Sequence, residues 1–273
     1  MCNIPLLDSI CRESYNDPLD LYKTLKSRGM DLVTVTDHDS IDAAEQLRRF
    51  PDFFLSEEVT CTTGSGTEIH MGVYAIEERH HEELQRRRRD LASLLAYLEE
   101  QKLFFSINHV FSSLTGPRTH DDFACFEEHF PAFETLNGQM LEAANRSAAA
   151  LAARLGKAQV GGSDAHTLHS LGRTFTEVRG AADLDTFMGG LRHGRSTVHG
   201  EHGDYIKLTR AVWTIGVELI RERNWAAVMA PLMALVPAVI LVNYLREMAF
   251  ERKWSRLLNS GAAVPTEELA EAA

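Results

Sequence analysis

Apolar and polar positions alternate in short groups over most of this chain, and the pattern changes near Tyr205. Asn16-Asp17-Pro18 reads as a helix start, a capping side chain followed by proline in the first turn. That helix runs through Leu21, Tyr22, Leu25 and Lys26 and stops at Gly29. The β-branched run 32–36 predicts a strand, and 41–50 a short helix. Residues 53–60 and 68–76 read as strands about the turn Gly64-Ser65-Gly66. Leucines at 84, 91, 94, 95 and 98 predict one long charged helix over 80–102. Strands at 103–108, 133–137, 158–162, 174–178 and 196–199 then alternate with helices at 121–129, 141–155 and 184–193. Such alternation predicts a mostly parallel α/β sheet, closed or open. From Tyr205 onward only helices are expected, with a loose Ala- and Glu-rich tail.

Composition narrows the class. The 273 residues suffice for one barrel or two small domains, and 44% hydrophobic content supports a real core. A net charge of -11 argues against wholesale coating of nucleic acid, which is not an expected partner. Cys2, Cys11, Cys61 and Cys125 form no CxxC pair, and no secretory signal opens the chain. A cytoplasmic location is therefore expected.

The candidate chemistry sits at the ends of the predicted strands. Asp37 and His38 follow the first strand, Glu57 and Glu58 lie in the second, and His70 lies in the third. His109 follows the fourth, and Asp164 and His166 follow Val160-Gly161-Gly162. In parallel α/β folds the carboxyl ends of strands are where ligands bind. Imidazoles mixed with carboxylates suit Mn, Zn or Fe, and the lack of cysteine disfavours a structural zinc knot. Two or three such metals on one face can activate water and stabilise both oxygens of a phosphate displacement.

These motifs resemble the polymerase-and-histidinol-phosphatase (PHP) family of metal-dependent phosphoesterases. The matching runs are Thr36-Asp37-His38-Asp39, Ser56-Glu57-Glu58-Val59-Thr60, Glu68-Ile69-His70 and Ile107-Asn108-His109. Glu134-Thr135-Leu136-Asn137, Gly162-Ser163-Asp164-Ala165-His166 and Leu171-Gly172-Arg173-Thr174 continue the series in the family's order. The resemblance spans about residues 10–200. It implies a distorted (β/α)7 barrel followed by C-terminal helices, with up to three divalent metals on its carboxyl face. It implies Glu58 as the bridging carboxylate, His70 and His109 as further ligands of one metal, Asp164 of a second, and His38 and His166 of a third. Glu58 is preferred to Glu57 because it directly precedes Val59-Thr60. Asp37 is assigned to orient an imidazole, and Arg173 to hold a phosphate or to lie on the surface.

One departure stands out. The family opens with a strand carrying His-x-His, and no histidine precedes His38 here. Cys11-Arg12-Glu13-Ser14-Tyr15-Asn16-Asp17-Pro18 resembles the segment that follows that strand, so the barrel is expected to lack its first strand. Either the start of the chain is set too far downstream or the strand is lost, and in the second case activity is expected to be weak or absent.

Other signals receive plainer readings. The arginines at 86–89 face Glu82 and Glu83 at helical spacing, which predicts a solvated helix with His80-His81 exposed at its start. The segment 110–120 reads as a substrate loop with Arg118 and His120 at its rim or as a plain connection, and His169 is a further substrate-binding candidate. Residues 225–245 carry no charge and reach membrane-spanning length, though Pro231 and Pro237 interrupt them. A single span would put Arg246, Arg252, Lys253 and Arg256 outside, against the positive-inside tendency. A re-entrant hairpin, a helix packed on the barrel and an oligomer interface all avoid that conflict.

The expected division is a barrel over 1–203, a helical segment over 204–259 and a tail over 260–273. The expected function is hydrolysis of a small phosphate ester by metal-activated water. The alternatives are a catalytically impaired PHP-like module tethered by its C-terminal helices, and hydrolysis of an amide or lactone.

Overall fold

The computed structural model describes residue 14 and residues 16–260. The expectations for Cys11-Arg12-Glu13 and for the tail beyond residue 260 lie outside the described residues. Helix α1 (Pro18–Ser27) starts where expected, and the Asp17 carboxylate accepts the N–H groups of Leu19 and Asp20. The predicted strand 32–36 forms no continuous ladder. It touches the next segment through two parallel bridges, Val33 with Phe53 and His38 with Glu58. The predicted helix 41–50 shrinks to a 3-10 turn, Asp42–Gln46.

Strands β1 (Ser56–Thr62) and β2 (Glu68–Tyr74) form an antiparallel hairpin. Their short connection permits nothing else, because parallel neighbours need a long crossover. The expected helix over 80–102 is two helices, α2 (Glu78–Arg87) and α3 (Leu91–Glu100). Asp90 divides them by accepting the Ser93 N–H and starting α3 afresh. His80, expected in solvent, is buried and closes a capping box with Glu77.

Strand β3 (Phe104–Ile107) pairs antiparallel with β2, and β4 (Ala132–Asn137) pairs parallel with β3. Between them lies α4 (His120–His129), capped by Thr119. Helix α5 (Glu142–Leu155) carries the chain to β5 (Ala158–Gly162), which is parallel to β4. The sheet order is β1-β2-β3-β4-β5. It is therefore mixed, not mostly parallel, because two of its connections fold back antiparallel.

Strands β6 (Thr174–Val178) and β7 (Ser196–Gly200) flank α6 (Leu184–Arg192) and form a separate antiparallel pair. Side chains join this pair to β5. The Thr176 hydroxyl donates to the Gly161 carbonyl and accepts the Gly161 N–H, both at 2.8 Å, and the Ser196 hydroxyl donates to the Gln159 carbonyl. No closed barrel is formed among the described residues.

The core is aromatic. Phe105, Phe123, Phe126, Phe130 and Phe133 pack with Leu84, Leu94 and Leu98 of the helical layer. The C-terminal region comprises α7 (Tyr205–Glu222), a 3-10 run (Asn224–Leu235) and α8 (Val236–Ser260). Pro231 lies inside the 3-10 run, and Pro237 sits in the first turn of α8, where a missing N–H costs nothing. The far half of α8 joins the core: Trp254 is buried 4.8 Å from the Phe123 ring. Its near half, apart from buried Ile240, is half-buried or exposed.

Candidate metal centre

Strand alternation decides between the two adjacent glutamates. Glu57 and Glu58 point to opposite faces of β1. Glu57 is fully buried against α2, where its carboxylate meets His81 Nδ1 at 2.7 Å and accepts the Gln85 amide. Glu58 points to the face that collects the imidazoles. His38 Nε2 lies 3.6 Å from Glu58 Oε2, and His70 Nδ1 lies 3.6 Å from Oε1. His109 Nε2 is 3.3 Å from Oε1 and 3.2 Å from His70 Nδ1.

Each group arrives by a local rule. His38 is carried by the parallel bridge to Glu58. His70 faces Thr60 across the hairpin, on the same sheet face as Glu58. Gly72 is the direct cross-strand partner of Glu58. A side chain there would collide with the Tyr74 hydroxyl. That hydroxyl lies 3.0 Å from Ser106 Oγ, Ser106 donates to Asn108 Oδ1, and the Asn108 amide donates to Glu58 Oε1 at 2.9 Å. Asn108 is thereby oriented with its nitrogen towards the carboxylate.

A second group adjoins the first. His109 donates its N–H to Glu134 Oε2, and the Asn137 amide reaches both Glu134 oxygens at 3.1 Å and Asp164 Oδ2 at 3.2 Å. His166 Nδ1 lies 3.8 Å from Asp164 Oδ1. His109 and Asp164 both have left-handed backbones, with φ of 31° and 45°. Non-glycine residues are rarely held there, and such strain collects at ligand sites.

The electrostatics match. Burial pushes the Glu58 carboxyl up, but the hydrogen bond from His109 and the three imidazole charges overcome it and hold it far below the carboxylate range. Burial holds the His70 imidazole below its ordinary value. His109 is also disfavoured by burial, yet Glu58 raises it. For Glu134, burial together with the Asp164 and Glu58 carboxylates outweighs the lowering pull of His109 and pushes it up to about 7.

The donor set fits a divalent cation. His38, Glu58 and His70 offer ligand atoms all within 4.8 Å of one another. The chemistry is that of nitrogen and oxygen ligands without thiolate.

The remaining candidates fall elsewhere. Asp37 has an exposed side chain, and its carbonyl accepts the Glu58 N–H. Asp39 faces away from the cluster, towards Arg88 and the Thr60 N–H. Arg118 is buried rather than at a rim, donating to the Glu68 carbonyl and to Thr115, while His120 packs on Trp254. Arg173 is half-exposed and spans Glu201 and the His169 carbonyl. Exposed His169 lines, with His166, a cavity of about 600 Å³ against α7 that also takes in Lys207 and Arg210. Glu134, Asn108 and Asn137 received no role from the sequence, although all three stand in the quoted motifs.

A family model described as PHP-associated matches residues 142–196, from α5 to the start of β7. Over that stretch the chain is similar to the PHP-associated family. PsfC from Pseudomonas syringae is similar in structure, with a TM-score of 0.56 at 19% identity over 78% of this chain and 94% of PsfC. That likeness is one of fold. A candidate metal-dependent phosphoesterase from Bifidobacterium adolescentis aligns at 14% identity and TM-score 0.48, covering 67% of this chain and 92% of its own. The lesion-specific endonuclease PfuEndoQ from Pyrococcus furiosus aligns at 15% identity and TM-score 0.49, covering 69% and 55%. No curated protein matches the chain in sequence.

Proposed function

We propose that this PHP-related chain is a metal-dependent hydrolase of small phosphate esters. The observation that carries the reading is the convergence of His38, His70 and His109 on the buried carboxylate of Glu58. Three imidazoles and one carboxylate at such range hold a divalent cation well, and they have no comparable role in a packed core. In this reading His38, Glu58, His70 and His109 hold one metal (Mn, Zn or Fe), and Asp164 and His166 serve a second or third. Bound there, such ions would lower the pKa of water and would offset charge on a phosphoryl group.

The chain's own residues do the positioning. Asn108 fixes the Glu58 oxygen that faces His70 and His109, and Asn137 holds Glu134 and Asp164 together. The cavity beside His166 is where the ester's organic group is seated, with Lys207 and Arg210 to balance an anion. Arg173 acts through Glu201 and the 169 carbonyl, as a positioning residue of the cavity wall. The sheet with its β6–β7 pair corresponds to an opened form of the family's distorted barrel, and the domain boundary lies near residue 203. The free thiols of Cys61 and Cys125 suit a reducing cytoplasm.

Elemental analysis of the purified chain, paired with hydrolysis of a phosphoester panel in manganese and zinc, tests the reading. Bound metal together with hydrolysis that disappears in Glu58→Gln is expected. A chain that binds no metal and hydrolyses no ester sinks it.

A further inference from the structure

The C-terminal hairpin breaks the burial rule that the rest of the molecule obeys. Helix α7 leaves the body beside Gly203, which bridges Leu141, and its first turn is capped by the Asp204 carboxylate. Helix α8 returns to the body, where Glu251 accepts the Ser147 hydroxyl and Trp254 is buried. Between those anchors, residues 225–245 hold no charged side chain. The helix Ala230–Asn259 contains a window long and apolar enough to cross a membrane, yet only 11% of that window is buried.

The hairpin packs on itself. Ile215, Leu219, Ala226 and Ile240 are buried, and Gly216 gives Met233 the room to approach α7. Its outside remains apolar: Val228 is 79% exposed, with Leu232, Leu235, Val239, Leu241 and Leu245 also exposed. Val239 and Leu241 lie about 200° apart around α8 at 3.6 residues per turn, so opposite faces are both apolar. A protein partner covers one face, whereas an all-round apolar surface suits a hydrocarbon surrounding. Exposed Arg223 and Arg246 bracket the uncharged stretch at both ends, where anionic headgroups would meet them.

Length sets the depth. From Val236 to Leu245 the helix rises about 15 Å at 1.5 Å per residue. That is half of a hydrocarbon core about 30 Å thick. Both ends of the hairpin are tied to one folded body, so the chain enters and leaves on the same side. We propose that residues 225–245 form a monotopic anchor. Its apolar tip enters one leaflet of an anionic bilayer, with Arg223 and Arg246 at the level of the lipid phosphates. The geometry removes the charge conflict of a single span, because Arg246, Arg252 and Arg256 stay on the side of the body.

The test is flotation of the full chain with vesicles of phosphatidylcholine and phosphatidylglycerol. The chain is expected to float, and Trp225 fluorescence to be quenched by bromine-labelled lipid, a signal lost in Trp225→Phe. The triple variant Val228→Asp, Leu232→Asp, Val239→Asp alters only exposed positions. It should keep its near-UV circular dichroism and lose vesicle binding by about 100-fold or more, given the cost of a carboxylate in hydrocarbon. Arg223→Glu with Arg246→Glu should weaken binding to anionic vesicles more than to neutral ones. A full chain that stays in the aqueous fraction overturns the proposal. So does a dimer in solution that the same aspartates dissolve without any vesicle binding, which would assign the surface to a second copy.

Discussion

Two regions of this molecule violate the usual division between inside and outside, and they do so in opposite senses. At the sheet face, Glu58 and Glu134 are buried charges or near-charges, each held by several polar partners. In the hairpin, Leu232, Leu235 and Leu245 stand in solvent with more than half of their surface exposed. Each exception is costly unless something outside the chain completes it; we propose a cation in one case and a lipid in the other. A core glutamate that needs no such partner is at hand for contrast: Glu57, one residue away, is satisfied by His81 and Gln85 alone.

The strongest way to break the comparison is Glu58→Gln against Glu57→Gln. The first should lower phosphoester hydrolysis by roughly 10³-fold, about 4 kcal/mol, and release the metal. The second should leave metal content intact, and equal loss in both variants would show that Glu58 is merely another packed carboxylate. Next in size is Trp254→Ala, which removes the aromatic anchor of α8 from the core. It should cost about 3 kcal/mol in denaturant unfolding. Asn137→Ala removes the amide joining Glu134 and Asp164, and metal affinity should fall about 10-fold, read by competition with a chelator. Smallest is Leu232→Asp in the absence of lipid, which should change unfolding stability by no more than about 0.5 kcal/mol. A larger loss would mean that the hairpin's outer face is packed after all.

Much of this was legible in the residues. Asp17-Pro18 announced α1, Gly64-Ser65-Gly66 marked the turn between β1 and β2, and strands β3 to β7 fell close to their expected places. Local patterning carries that information, because capping, turn chemistry and period-two alternation act within a few residues. Pairing direction did not follow from it. The mixed sheet depends on how α2 and α3 turn the chain back, and Asp90, which splits them, looks like any polar position in a charged helix. Among the candidate ligands, His38, Glu58, His70 and His109 are brought together, while Arg118, expected at a rim, is spent inside on the Glu68 carbonyl. An arginine in a loop gives no sign of whether its reach ends in solvent or on a buried carbonyl.

By itself the sequence determined which atoms this protein can offer: imidazoles and carboxylates after strands, no thiol among them, and a long uncharged segment bracketed by arginine. It also determined the order of the elements, because each is favoured by its own neighbours. Only the tertiary structure decided that Asn108 and Glu134 support the histidines gathered on Glu58, and that the apolar segment folds back on itself instead of running straight. Those outcomes rest on contacts between residues far apart in the chain. Such contacts depend on sheet register, face and approach distance, none of which any local pattern records.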